Sequence, residues 1–315
     1  MTTGKIALVL GATGGVGGET ARALIAAGWR VRGLTRTPRT GHGIEWVIGD
    51  ALDRPMVLRA AEGAAAIIHA VNPPGYRDWE KLVMPMLANS IAAAESIGAR
   101  LVLPGTIYNY DPRAVPLAAE ATPQRPATRK GTIREAMESA IEDACSRGMR
   151  ALILRAGDFF GPRPGNSWLS QGMVTPGKPV KRVLYPGARG GGHAWAYLPD
   201  VAETFVRLLA RDADLPAFAR YHFRGHWDAD GTAIIESIRA ATGNPGISVF
   251  RFPWALLPLI APFNPTMREM IEMRPFWHHP LELDNRALVA MLGEEPHTPL
   301  PEAMAETLTA LGCRP

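Results

Sequence analysis

The chain has 315 residues, of which 47% are hydrophobic and 20% charged, and its formal net charge is +4. This composition indicates a folded protein with one large domain or two interleaved ones, and no long run of like charge points to extended disorder. The arginines are scattered and form no basic stripe interleaved with aromatic residues, so we expect no nucleic-acid partner.

Cysteine usage and apolar segments indicate a cytoplasmic protein. Cys145 and Cys313 have neither metal-ligand nor redox spacing, which excludes a disulfide framework. The first residues run straight into an apolar strand, so we expect no signal peptide. The most apolar later stretch, 252–263, is interrupted by three prolines and is shorter than the roughly 20 residues that cross a bilayer. We therefore expect no membrane span.

The first half alternates short apolar runs with amphipathic runs of helical period. We predict strands at residues 6–10, 29–34, 64–71, 100–103 and 150–154, and helices at 16–27, 78–97 and 128–146. Alternation of strands and helices predicts right-handed βαβ units and a parallel sheet.

After Phe160 the regular alternation of apolar and amphipathic runs ends, and the sequence becomes rich in turns. Asp200 is predicted to cap a helix that runs to about Leu209. We also predict a strand at 221–223 and a helix at 231–242, followed by a tail rich in proline and aromatic residues.

A glycine-rich turn separates the first strand from the first helix. Gly11 allows the tight turn, Gly14 lets the backbone approach a pyrophosphate, and Gly17 lets the helix pack close to the sheet. The helix N-terminus then offers N–H groups to phosphates. Because the strand–turn–helix context is complete, this motif predicts a dinucleotide site. The contacting residues are expected to be Gly11, Thr13, Gly14, Gly15, Val16 and Gly17.

The end of the second strand carries the signal for the type of dinucleotide. An acidic residue there would bind the ribose 2′-hydroxyl, but no acid occurs from Val31 to Thr40. Arg36, with Arg39 as a second candidate, could instead bind a 2′-phosphate. NADP is therefore predicted over NAD.

At this point the sequence resembles the extended short-chain dehydrogenase/reductase family, also called the NAD-dependent epimerase/dehydratase family. The resemblance rests on Thr13-Gly14-x-x-Gly17 and on segments along nearly the whole chain, which are 49–52, 69–72, 155–162 and 197–202. It implies an α/β fold: a Rossmann doubly wound parallel sheet with a smaller C-terminal α/β substrate domain. The implied Rossmann domain covers 1–161 and about 192–225, and the substrate domain covers about 162–191 and 226–315. The implied further cofactor contacts are Asp50, Ala51, Ala70, Val71, Asn72, Lys130, Ala156 and Gly157.

The family's catalytic residues have only partial counterparts. The resemblance places Thr106 at the family's Ser/Thr position. Lys130 stands where the family has the catalytic tyrosine, and Arg134 where it has the lysine. No Tyr-x-x-x-Lys occurs anywhere in the chain.

Residues four apart share one helix face, so Lys130 and Arg134 are expected to point the same way. A lysine beside an arginine could serve as general acid, and Arg134 could bind ribose hydroxyls or an oxyanion. Tyr108 is the alternative proton donor, and Tyr110 falls on a tyrosine that is more often structural.

Several residues of the second half, most of them histidines, are further candidates for a site. His193 and Trp195 are predicted to lie in a loop that could face a substrate. His222, His226 and Asp228 have the residue types of metal ligands without regular spacing, so we expect no metal.

These observations favour an NAD(P)H-dependent oxidoreductase acting on a carbonyl-containing small molecule. Two alternatives stay open: a cofactor-binding redox sensor or regulator without turnover, and a sugar-nucleotide epimerase or dehydratase. The family resemblance also suggests a homodimer.

Overall fold

The computed structural model describes residues 4–73, 78–165, 167–188, 190–261 and 265–313. Within these ranges the helices are α1 (Gly15–Ala26), α2 (Arg54–Ala61), α3 (Trp79–Ile97), α4 (Arg129–Ser146), α5 (Leu198–Ala210), α6 (Thr232–Thr242), α7 (Leu257–Ile260), α8 (Pro265–His278), α9 (Arg286–Leu292) and α10 (Leu300–Ala310). The strands are β1 (Ile6–Leu10), β2 (Arg30–Thr35), β3 (Ile44–Ile48), β4 (Ala64–His69), β5 (Arg100–Thr106), β6 (Leu117–Ala118), β7 (Arg150–Ala156), β8 (Asp158–Phe160), β9 (Arg182–Tyr185), β10 (His193–Tyr197), β11 (Phe218–His222), β12 (His226–Asp228), β13 (Ser248–Arg251) and β14 (Glu282–Leu283).

The chain divides into two compact units. Unit 1 comprises Met1–Gly105, Ile133–Arg155 and Val201–Tyr221, and unit 2 comprises Thr106–Thr132, Ala156–Asp200 and His222–Pro315.

Unit 1 is built on a seven-stranded sheet with the strand order β11-β7-β5-β4-β1-β2-β3. β1 pairs in parallel with β2 on one side and with β4 on the other, while β3 and β5 extend the parallel arrangement outward. The chain therefore winds in both directions from β1, which is the doubly wound order predicted from the sequence. The α/β Rossmann fold is confirmed.

The core of unit 1 follows from continuously apolar strands. Leu8 and Ile67 are fully buried in the sheet and pack in one cluster with Val57 of α2, Leu87 of α3 and Ile141 of α4. Strands that are apolar on both faces require cover on both faces, and helices provide it.

Unit 2 contains smaller sheets. β10 pairs in parallel with β8 and antiparallel with β12, while β9 pairs with β13 and β6 with β14. Segments 156–161 and 192–200 belong to unit 2, where they form part of the first of these sheets, and segment 106–132 also belongs to unit 2. The domain prediction assigned all three segments to the Rossmann domain, and the division into a Rossmann and a substrate domain stays a prediction.

Two local predictions are corrected. Asp200 does not cap a helix, because α5 already begins at Leu198. Its carboxylate instead accepts hydrogen bonds from the backbone N–H and the hydroxyl of Thr298, each at 2.7 Å. His193 and Trp195, predicted in a loop, lie on strand β10 and are buried.

Candidate functional site

The turn between β1 and α1 requires glycine at two positions. Gly11 has a φ of +88°, and a Cβ there would lie 2.4 Å from the carbonyl oxygen of Ala70. A Cβ on Gly17 would lie 2.3 Å from the carbonyl oxygen of Gly11. The turn is closed by a 2.9 Å hydrogen bond from the N–H of Gly14 to the same oxygen. Side-chain-free positions thus let α1 begin directly against the ends of β1 and β4.

The N-terminus of α1 is left open to an anion. Gly14 is the N-cap, no side chain caps the helix, and its first turn carries no acidic residue. Thr13 and Gly14 are exposed, while Gly15 and Val16 are half-buried. Uncapped N–H groups together with the positive end of the helix dipole suit a phosphate group. The residues present therefore fit the pyrophosphate of a dinucleotide.

The other predicted cofactor residues of unit 1 follow the ends of parallel strands. Arg36 comes directly after β2 and is exposed, and Asp50 comes shortly after β3. Ala70, Val71 and Asn72 come directly after β4. Because parallel strands end on one edge of a sheet, the fold brings these residues to the same edge as the glycine turn, where dinucleotides bind in doubly wound sheets.

Several of these residues also have structural roles. Asp50 Oδ1 accepts a 3.0 Å hydrogen bond from the N–H of Leu52 and so holds its own turn. The carbonyl of buried Ala51 accepts a 2.9 Å bond from Asn89. Asn72 Oδ1 accepts a 3.3 Å bond from the indole of Trp79.

Arg134 belongs to unit 1 and lies in a buried setting that includes a histidine missed by the sequence analysis. Its guanidinium lies over the ring of Trp79, 5.2 Å from the ring centroid. His69 Nδ1 is 2.8 Å from the hydroxyl of Ser90, which in turn donates to the carbonyl of Met86. Burial, assisted by the charge of Arg134, lowers the pKa of His69 to about 3. His69 is therefore neutral at the end of β4.

Thr106 and Tyr108 lie together in unit 2 at the end of β5. Thr106 Oγ1 accepts a 3.3 Å hydrogen bond from the N–H of Tyr108 and so begins a short 3₁₀ turn. Both side chains are half-buried. The hydroxyl of Tyr108 donates to Asp158 Oδ1 at 3.4 Å, and its ring packs against Phe276 at 5.2 Å between centroids.

Lys130 is buried in unit 2 and already has an acidic partner. Its Nζ lies 3.1 Å from Glu269 Oε2 and donates to the carbonyl of the same residue at 3.0 Å. Glu269 also pairs with Arg129 at 2.7 Å. The ammonium is thus held by α8.

Ala156 and Gly157 lie at the junction of β7 and β8 and are buried. A Cβ on Gly157 would lie 2.2 Å from the carbonyl oxygen of Ala194 on β10. Close packing of two strands therefore requires this glycine, independently of any cofactor contact.

Asp158 and His193 form a second group that the sequence analysis missed as a pair. Asp158 Oδ2 lies 2.9 Å from His193 Nε2. His193 stacks on Trp277 with 3.7 Å between ring centroids and 8° between planes. The signal available in the sequence was a buried-strand pattern around His193, which the triple glycine before it obscured.

The three residues weighed as metal ligands take separate roles in unit 2. His222 Nδ1 lies 3.1 Å from the carbonyl of Ala118, and His226 packs against His297. Asp228 accepts hydrogen bonds from three N–H groups at the start of α6. Within the described residues, no group of three or more His, Cys, Asp or Glu side chains is arranged to hold a metal ion. None of the described helices is both long and apolar enough to cross a membrane.

Comparison with known proteins identifies the class. The sequence model of the NAD dependent epimerase/dehydratase family matches residues 7–221, so the chain belongs to that family of enzymes. A search of curated proteins gave no match.

Similar folds occur among solved structures. An epimerase candidate from Burkholderia cenocepacia J2315 has a TM-score of 0.76 at 19% identity, with 98% of each chain covered. UDP-glucose 4-epimerase from Bifidobacterium longum, in complex with NAD+ and UDP, has a TM-score of 0.74 at 15% identity, covering 97% of this chain and 98% of that one. The NAD-dependent NDP-hexosamine 5,6-dehydratase TunA has a TM-score of 0.71 at 17% identity, with 97% of each chain covered. At these identities the likeness establishes the fold.

Proposed function

We propose that the chain binds a nicotinamide dinucleotide on unit 1 and acts as an oxidoreductase on a carbonyl-containing small molecule. The observation that carries the proposal is the glycine turn. A Cβ on Gly11 or Gly17 would collide with a backbone oxygen, so these glycines let α1 begin directly against the strand ends. α1 begins there without a side-chain cap, which leaves its N–H groups for a phosphate. The reduced dinucleotide would supply a hydride to the carbonyl carbon.

Arg36 is proposed to set the phosphate preference of the dinucleotide. It is exposed directly after β2, and no acidic side chain lies near it in sequence to bind a ribose hydroxyl. This supports NADP. Among the similar structures, the UDP-glucose 4-epimerase from Bifidobacterium longum is in complex with NAD+, which favours NAD instead. Parallel calorimetric titrations of the cofactor-free protein with NADPH and NADH decide between them, and binding of neither would overturn the proposed function.

The proposed catalytic set comprises Thr106, Tyr108, Lys130 and Arg134. Tyr108 is the proton donor that the contacts favour, since its side chain is half-buried and its hydroxyl makes a long 3.4 Å hydrogen bond to Asp158 Oδ1. Lys130 Nζ is held by Glu269, so we assign it to positioning through charge. Arg134 is assigned to binding of the dinucleotide ribose, and Thr106 to binding of the substrate oxygen.

A sugar-nucleotide epimerase or dehydratase is the second candidate, and the names of the similar structures favour it. The missing Tyr-x-x-x-Lys instead favours a dinucleotide-binding protein without turnover. The reactions differ in their use of cofactor: a reductase consumes reduced dinucleotide in proportion to product, whereas an epimerase reduces the oxidised dinucleotide and reoxidises it in the same turnover, with no net change. A carbonyl panel followed by absorbance of the reduced dinucleotide, and UDP-glucose followed by analysis of the sugar-nucleotide product, separate these functions, and a binding protein without turnover gives no signal in either assay. Assembly as a homodimer stays a prediction, which sedimentation would test.

A further inference from the structure

Tyr108, Asp158 and His193 form a continuous chain of hydrogen bonds within unit 2. The hydroxyl of Tyr108 donates to Asp158 Oδ1 at 3.4 Å, which is longer than the roughly 2.7 Å of an optimal O–H···O bond. The other oxygen of Asp158 lies 2.9 Å from His193 Nε2. The side chains of Asp158 and His193 are 12% and 2% exposed, so bulk water has little access to this end of the chain.

Both ring nitrogens of His193 face acceptor atoms. Nε2 faces the carboxylate of Asp158, and Nδ1 lies 3.3 Å from the carbonyl oxygen of Phe276. A carbonyl oxygen can only accept, and a neutral imidazole has a single N–H to donate. Both contacts are therefore satisfied only when the Asp158–His193 pair holds one proton more than a carboxylate and a neutral imidazole.

The surroundings of the ring suit that additional proton. Trp277 stacks on the imidazole, and Trp195 meets it nearly edge-on at 4.9 Å between centroids. Aromatic faces attract cations, so a stacked indole favours an imidazolium. The same stack fixes the plane of the ring, which keeps Nε2 directed at Asp158.

We infer that Tyr108, Asp158 and His193 act as a proton relay, in which Asp158 and His193 are positioning residues that reprotonate the oxygen of Tyr108. This inference rests on the proposed function. With a bound reduced dinucleotide to supply the hydride, the Tyr108 O–H bond would break and its proton would bond to the carbonyl oxygen of the substrate. Asp158 would then pass a proton to Tyr108 and take the Nε2 proton of His193, and the pair would regain its proton from solvent at Asp158, the more exposed of the two side chains. The substrate gains one hydride and one proton, which makes it an alcohol.

The first test needs neither substrate nor cofactor. In protein labelled with ¹⁵N in its histidine rings, the nitrogen shifts at neutral pH report which ring nitrogens carry protons, and His193→Gln identifies the signals of His193. We expect both nitrogens of His193 to be protonated in the wild type and the ring to become neutral in Asp158→Asn. His226 is the matched control, because it is also buried in unit 2, and burial lowers its pKa to about 4. Its signals should stay those of a neutral ring in both proteins.

The second test is kinetic and uses the carbonyl substrate that the assay panel yields. Tyr108→Phe, Asp158→Asn and His193→Gln should each lower kcat about 100-fold or more, within the range of general acid catalysis. KM and dinucleotide affinity should change little, and His226→Gln should leave kcat unchanged. A neutral His193 in the wild type overturns the relay whatever the enzyme catalyses, and so does an unchanged kcat in Asp158→Asn. Absence of dinucleotide binding overturns the proposed function without altering the histidine signals.

Discussion

His193 of β10 stacks face to face on Trp277 near the end of α8, with ring centroids 3.7 Å apart. Asp158 Oδ2 lies 2.9 Å from Nε2 on the edge of the same imidazole. A histidine ring held on its face and on its edge has a fixed orientation, which a loop residue would lack. The proline- and aromatic-rich tail thereby contributes directly to the surroundings of Tyr108.

The glycine turn predicts a steep difference between two adjacent positions of α1. Gly17→Ala should destabilise the protein by about 2 kcal/mol, because its Cβ would lie 2.3 Å from a backbone oxygen. It should also weaken dinucleotide binding at least tenfold. Gly18→Ala is the matched control, since its Cβ would lie 3.2 Å from the nearest atom. Denaturant unfolding and calorimetric titration check the pair, and equal effects of both variants would contradict the assigned role of Gly17.

Arg36 should govern the choice between dinucleotides. Arg36→Glu replaces a guanidinium that can fork onto a 2′-phosphate with a carboxylate that repels it and can accept from a ribose hydroxyl. We expect NADPH affinity to fall at least tenfold relative to NADH affinity. Arg39→Glu tests the second candidate with the same change of charge in the same loop, and a larger shift there would assign the 2′-phosphate to Arg39. A ratio that moves equally in both variants would mean that the loop acts only through its net charge.

The buried ion pair of unit 1 should contribute strongly to stability. Arg155 and Glu138 are 0% and 2% exposed and lie 2.6 Å apart. Glu138→Gln leaves the guanidinium buried beside an uncharged group, so we expect a loss of about 3 kcal/mol in the free energy of unfolding. The exposed pair of Arg147 and Glu95 is the control, where Glu95→Gln should cost less than about 1 kcal/mol. Similar losses in the two variants would argue against a role for burial.

His69 should make the protein lose stability in acid. Its pKa is lowered to about 3 in the folded state from an ordinary 6.5, so between these values the unfolded chain binds the extra proton. The free energy of unfolding should therefore fall as the pH drops from 6.5 toward 3. Above pH 6.5 His69 is neutral in both states and should add no pH dependence. His69→Gln should flatten the fall across the whole window.

His226→Gln serves as the comparison for His69. The pKa of His226 is lowered to about 4, by burial first and then by the charge of His297. Its removal should change the slope only between pH 6.5 and about 4. Chemical unfolding at a series of pH values measures both variants. Below pH 4 only His69→Gln should still differ in slope from the wild type, and a His69→Gln slope that matches the wild type there would contradict the assignment.

The sequence was sufficient for the fold of unit 1, because that fold depends on local patterns. The apolar run of β1, the glycine spacing and the helical period of α1 each lie within a few residues of one another. Unit 2 depends on pairings between distant segments. Asp200 illustrates the difference: the residue type at a helix start indicates a cap, but its carboxylate binds Thr298.

The residues of the candidate site also differ in whether local sequence is enough to predict them. Gly11, Gly14 and Gly17 could be identified from their spacing, since backbone geometry alone requires them. The partners of Lys130 and Tyr108 could not, because Glu269 and Asp158 come from remote segments whose approach is set by packing. A motif position identifies a residue but does not show whether its charge is already balanced by a neighbour.

That distinction leads to the last prediction, which concerns Lys130 and Tyr108. Because Glu269 holds the ammonium of Lys130, Lys130→Arg should keep the ion pair and retain most turnover. Lys130→Ala should lower both stability and turnover, while dinucleotide binding is partly retained. Glu269 would not be left without a cationic partner, since Arg129 still pairs with it. Tyr108→Phe, in contrast, should lose turnover with stability nearly unchanged. Turnover, unfolding and titration are measured on all three variants; loss of turnover in Lys130→Arg with full activity in Tyr108→Phe would make Lys130 the proton donor and remove Tyr108 from the chemistry.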